Sequence, residues 1–247
     1  MSIYKLLFLS VLFITFGNGE LLAKFDQYPY GVIDQSNNIN SFFQVERKDK
    51  GPILAQLGIN NSFALNQKKI IENSFKLMLQ RILSPQVISC AFMKSFKHRP
   101  ISKTEFIMQL EDALTGVTVA GSLLPSFVFV ANYQNDKKSV GVGYVNLFYD
   151  TDYPFPGFPY RHYLHFALNM DYLGKHENYV YANDLEYWAG VMAHEILHNL
   201  GYIHPDGLQG SFIHSFGKCV QNNGAQLMEI EEENSLNEEL EDLEIIK

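Results

Sequence analysis

The apolar positions of this chain fall into a few segments of clear period separated by stretches with none. Between Phe63 and Leu83, Ile71, Phe75, Met78 and Ile82 share one helical face, while Lys68, Lys69, Glu72 and Lys76 lie largely elsewhere. That spacing predicts an amphipathic helix. Ser102 to Leu114 predicts a second, shorter one, with Phe106, Leu110 and Leu114 in register. Phe127–Val130 and Val140–Phe148 read as strands around the polar turn Asn135-Asp136-Lys137-Lys138. Asp150–Tyr160 carries three prolines and a glycine, a composition that excludes a regular element. From Leu164 to Met170 the alternation of Leu164, Phe166, Leu168 and Met170 with His165, Ala167 and Asn169 predicts a half-buried strand. A helix from about Asp184 to Leu200 follows. Asn183 and Glu186 fit its capping pair, Leu185, Ala189, Met192 and Ile196 its apolar stripe, and Gly201 its stop. Residues 24 to 50 are mixed and polar, and read either as a short pro-segment or as an N-terminal strand and loop.

The first residues have a different character. Lys5 precedes an apolar run, Leu6–Phe16, broken only by Ser10 and Thr15. Gly17 and Gly19 put small residues at the positions a signal peptidase requires for cleavage after Gly19; cleavage after Ala23 is the alternative. The run has signal-peptide length and is too short for a membrane span. The division expected is therefore a signal peptide over 1–19, an N-terminal segment over 20–50, a catalytic body over 51–228 and an acidic tail over 229–247. The mature product is expected to be secreted, periplasmic or lumenal, with no membrane span. An even cysteine count in an exported chain predicts a Cys90–Cys219 disulfide. Two buried thiols, or Cys90 as a metal ligand, are the alternatives.

Charge adds one correction. The net charge is −8, yet Glu229–Lys247 alone holds nine acidic residues and one basic one. The body is balanced, and no basic stripe runs through it, which argues against a nucleic-acid binder.

The chemistry lies in the last predicted helix, in His194-Glu195-Ile196-Leu197-His198, continued by Asn199-Leu200-Gly201-Tyr202-Ile203-His204. Histidines four apart lie on one helical face, one turn above the other, so their imidazoles can converge on an ion. Glu195 is offset by about 100° around the helix, beside such an ion instead of on it. Gly201 lets the chain turn out of the helix, and three residues later His204 can return as a third ligand. Three imidazoles with one position open is the layout of a catalytic zinc.

His194–His204 resembles the HExxHxxGxxH signature of the metzincin zinc endopeptidases. The resemblance covers about eleven residues. It implies an α/β (α+β) fold: a twisted mixed sheet with two main helices, above an irregular lower subdomain that carries the third ligand and a methionine turn. It implies Zn2+ as cofactor, His194, His198 and His204 as ligands, and Glu195 as general base in peptide hydrolysis. Met228, the only methionine after the motif, is the candidate for the methionine turn. Tyr202 is a candidate oxyanion donor. The family binds extended substrate as an added strand, which the resemblance assigns to Leu164–Met170. No cysteine-switch sequence surrounds Cys90. The partner implied is a peptide or protein substrate. A zinc amidase acting on a modified peptide, or a secreted binding or toxin-like module, would use the same site differently. His98, His162, His165, His176 and His214 read as ordinary surface or core residues.

Overall fold

The computed structural model describes residues 39–48, 50–95, 97, 100, 102–119, 122–133, 140–143, 162–174, 179–204 and 211–225. In chain order these form β1 (Ile39–Arg47), β2 (Lys50–Ile59), α1 (Leu65–Arg81), α2 (Pro85–Lys94), α3 (Lys103–Leu114), β3 (Val117–Val119), β4 (Ser122–Leu124), β5 (Ser126–Tyr133), β6 (Gly141–Gly143), β7 (Tyr163–Asn169), α4 (Leu185–Asn199) and α5 (Phe212–Gln221). The chain is thus mixed α/β, as expected. The expected signal peptide, the loop 150–160, Met228 and the acidic tail lie outside the described residues.

Local chemistry starts the helices where the capping residues stand. Ser84 accepts from the Val87 N–H and is followed by Pro85 in the first turn of α2; Ser102 caps α3 and Ser211 caps α5 through the same N3 contact. On α4 the cap is Asp184, whose carboxylate accepts from the N–H groups of Glu186 and Tyr187, and not the expected Asn183. The anion also suits the positive end of the helix dipole. In α1, buried Gln67 accepts from the Ala64 N–H and donates to the carbonyls of Met170 and Leu173, at 2.8 and 2.6 Å. This fastens the start of α1 to the turn that follows β7.

The five-stranded sheet has the order β1-β2-β5-β7-β6. β2, β5 and β7 run parallel, and β1 and β6 pair antiparallel at the two edges. β1 lies within the segment 20–50 that composition set apart, so the sheet begins at Ile39. β5 and β6, which flank the polar turn in sequence, are not neighbours; β7 lies between them.

The main core joins one face of the sheet (Leu57, Ile59, Val128, Val130, Leu164, Phe166, Leu168) to Ile71, Phe75 and Met78 of α1 and Trp188, Met192 and Ile196 of α4. Each fully buried side chain of this size contributes roughly 1.5–3 kcal/mol. β7 departs from the half-buried strand that its alternation predicts, because all seven of its residues are buried. Its second face carries Tyr163 and His165, which pack with Phe127 and Phe129 of β5 at ring separations of 5.4 and 5.6 Å. Polar-looking His165 is therefore interior.

Candidate metal centre

α4 sets His194 and His198 one turn apart, with ring centroids 5.2 Å from each other. The helix ends at Asn199, and Gly201 takes φ +90°, a conformation that side chains with a Cβ disfavour. Gly201 N–H donates to the His198 carbonyl and Tyr202 N–H to the Leu197 carbonyl, both at 3.0 Å. This hydrogen-bonded exit satisfies the last carbonyls of the helix and swings the chain back along it. His204 returns so that its Nε2 lies 3.1 Å from that of His194. The ligating atoms of His194, His198 and His204 all fall within 4.8 Å of one another.

The rings are oriented from behind. The Tyr202 carbonyl can only accept, so its 2.8 Å contact with His198 Nδ1 places the proton there and leaves Nε2 with its lone pair. His194 similarly hydrogen-bonds the Ile213 backbone at the start of α5. Burial, ahead of repulsion from His198, His204 and His214, pushes His194 down to about 3, and burial also lowers His198 and His204. All three are then neutral imidazoles at neutral pH, the form a metal ion requires. The donor set fits a divalent transition metal, and among the described residues it has three members.

Glu195 lines the same cavity and is 5% exposed. Burial lifts its carboxyl to about 8, against a hydrogen bond from the Gly143 backbone that favours the anion. Two glycines of β6 make room for it. A Cβ on Gly141 would sit 2.5 Å from Glu195 Oε1, and one on Gly143 would sit 2.6 Å from both the Glu195 carbonyl oxygen and His198 Cβ. The edge strand therefore lies directly against the histidine helix.

Other sequence expectations are placed as follows. The Tyr202 hydroxyl donates to Gln109 at 2.6 Å, and its ring packs edge-on against Phe106. Its carbonyl, not its hydroxyl, meets the site. Cys90 of α2 and Cys219 of α5 form a disulfide, which brings α5 against α2. β7 is interior, so it offers no free edge for an added strand; among the described strands, the edge beside the cavity is β6. His162 lies 3.5 Å from Asp112 and is not among the residues that line the cavity. His98 and His176 lie outside the described residues.

Four further residues stand at the site: His214, expected from the sequence to be an ordinary surface or core residue, and Gly190, Gly217 and Asn199, to which the sequence assigned no role. His214 is a fourth imidazole at the cavity, its ring 6.4 Å from that of His194. Gly190 of α4 and Gly217 of α5 face each other where the two helices cross. Asn199 joins α4 to β7. The signal for α5 was present: Phe212, Ile213, Phe216, Cys219 and Val220 follow a helical period and are all buried.

Neither the protein-family models, nor the curated proteins, nor the solved structures contain a match to this chain.

Proposed function

We propose that the protein is an exported, zinc-dependent endopeptidase of the metzincin type. The observation that carries this reading is the convergence of His194, His198 and His204 within 4.8 Å beside buried Glu195, in one open cavity. The HExxHxxGxxH spacing supports it independently, and the buried disulfide suits an oxidising compartment.

His194, His198 and His204 would hold the ion through their Nε2 atoms. A bound zinc supplies Lewis acidity, making water nucleophilic near neutral pH and polarising a carbonyl. The chain's own part in the reaction belongs to Glu195. Its carboxylate takes a proton as water attacks the scissile carbonyl, and delivers that proton to the leaving amine. Burial raises this carboxyl, while the Gly143 backbone hydrogen bond favours its anion, as a cation held by the histidines would, and the anion is the form that takes up the proton. The Gly143 backbone hydrogen bond keeps the carboxylate in place, and an extended substrate would pair with β6, an edge among the described strands.

The test is cleavage of a broad peptide library by zinc-loaded protein. The wild type is expected to cut and Glu195→Ala to fail while retaining zinc. A zinc-loaded wild type that cuts no peptide would overturn the assignment.

A further inference from the structure

The cavity continues beyond the histidines. It runs between α4 and α5, past Gly190 and Gly217, to Tyr187, Lys218 and Gln221, and has a volume of about 490 Å³. Tyr187 precedes His194 by two helical turns, and Gln221 follows His214 by as much, so the far end stands about 10 Å along the helices from the imidazoles. The helices touch through bare backbone: a Cβ on Gly190 would lie 2.6 Å from the Gly217 carbonyl oxygen. Because neither residue has a side chain, the groove over the crossing is left open. Val140 and Val191 make its walls apolar.

The far end carries a cation. The Lys218 ammonium donates to Gln221 Oε1 at 3.2 Å and stands 5.9 Å over the Tyr187 ring. These contacts hold it at the end of the groove. No carboxylate among the described residues pairs with it. Glu186, next to Tyr187 in α4, is taken by Arg81 at 2.7 Å, and Arg81 itself donates to the carbonyls of Val220 and Gln221. An apolar groove with a candidate metal-binding cluster at one end and, at the other, an ammonium that no described carboxylate pairs matches a particular ligand. That ligand has a metal-seeking group, an apolar stem and a terminal carboxylate.

We propose that this groove is a recognition pocket for a carboxylate, carried by an acidic side chain or a free C-terminus next to the bond placed at the histidines. Lys218 is its specificity-determining residue. The inference rests on the proposed metal-dependent hydrolase for the direction in which the ligand enters, and binding tests it separately from turnover.

The full chain is loaded with zinc, with occupancy checked by elemental analysis. It is titrated by calorimetry with three hydroxamates whose stems span the groove, one ending in a carboxylate, one in the carboxamide and one in an ammonium. The wild type is expected to bind the carboxylate about fivefold more tightly, the effect of one partly exposed ion pair. The preference is expected to vanish in Lys218→Met and to turn towards an ammonium-ended stem in Lys218→Glu. Lys218 is exposed, so both variants are expected to keep the wild-type circular dichroism. Equal affinities in the wild type, an undiminished preference in Lys218→Met, or no binding to the zinc-loaded chain would each overturn the proposal. Zinc-loaded Glu195→Ala then ranks two peptides, one with an acidic residue and a blocked C-terminus, the other neutral with a free C-terminus. Tighter binding of either over a neutral blocked peptide supports the pocket and identifies the source of the carboxylate; equal binding of all three contradicts it. A carboxylate preference without cleavage of any peptide would refute the peptidase reading and leave the pocket standing. Failure to bind zinc at the histidines would refute both.

Discussion

The carboxamide of Asn199 exchanges two hydrogen bonds with the backbone of His165: the His165 N–H donates to Oδ1 at 2.7 Å, and Nδ2 donates to the His165 carbonyl at 3.0 Å. The paired residues of β6 and β7 run from Gly141 with Leu168 to Gly143 with Phe166. Asn199 takes up the backbone groups of β7 one step further on, in place of a strand. A side chain next to a candidate ligand thus ties the histidine helix to the sheet.

Asn199→Ala is expected to leave buried backbone groups of His165 unsatisfied, at a cost of about 2–4 kcal/mol. Zinc affinity should fall with it, because α4 loses its seat beside His198. Urea denaturation and a zinc titration check both effects. Wild-type values in the two would show that the contact holds nothing in place.

The proposed ligation and the proposed proton transfer are expected to separate by mutation. His198→Ala is expected to lose zinc, since two imidazoles do not complete the site. Glu195→Ala is expected to keep zinc and to lose at least about 100-fold in peptide cleavage. Elemental analysis beside a cleavage assay distinguishes them; near-stoichiometric zinc in His198→Ala contradicts the ligand set.

Glycine to alanine within a helix ordinarily stabilises by about 1 kcal/mol. Gly217→Ala is expected to do the opposite. The new Cβ would meet the Gly190 carbonyl oxygen at 2.9 Å and His194 Cβ at 3.2 Å. Overpacking of this kind costs about 1–3 kcal/mol and pushes α5 away from the first histidine. A raised melting temperature in the variant would show that the crossing is looser than described.

Cys90 and Cys219 are 129 residues apart in sequence, and both are buried. Constraining so long a loop stabilises by up to about 5 kcal/mol in the loop-entropy model. The double variant Cys90→Ala/Cys219→Ala is expected to melt well below the wild type and to lose zinc more readily, because α5 carries Ile213 against His194. Thermal denaturation with and without reductant provides the measurement, and reductant should change only the wild type.

His165 is buried within the sheet, and burial lowers its pKa to about 4. Its ordinary value is about 6.5, so between these values the unfolded chain binds a proton that the folded chain refuses. Stability from this group is therefore full above about pH 6.5 and is lost as the pH falls towards 4, by about 3 kcal/mol in all. His165→Phe is expected to flatten the pH dependence of unfolding in that window. An unchanged slope would mean that the imidazole charges without resistance.

Several elements were legible in the sequence because their causes are local. Ile71, Phe75 and Met78 share a face of α1, which Ile82 continues at the C-cap, and Phe106, Leu110 and Leu114 share one of α3; all are buried as the helical period requires. The pair His194 and His198 follows from four-residue spacing, and the return of His204 from a glycine able to take positive φ. β2 was missed because Gly51 and Pro52 interrupt its apolar pattern, at the irregularity where β1 and β2 shift register. α2 and α5 were missed although serines cap both.

What the sequence by itself determined is the set of candidate groups for an ion and a proton, His194, Glu195, His198 and His204, since periodicity and a turn bring them within a few residues of each other. The tertiary structure decided their surroundings. Only the crossing of α4 and α5 makes Gly190 and Gly217 a bare floor and sets His214 and Lys218 on the same cavity. Only the place of β7 between β5 and β6 packs the His165 ring on Phe129, with its backbone against Asn199, and leaves β6, with Gly141 and Gly143, against Glu195. Contacts of this kind join residues tens of positions apart, and no local pattern records them.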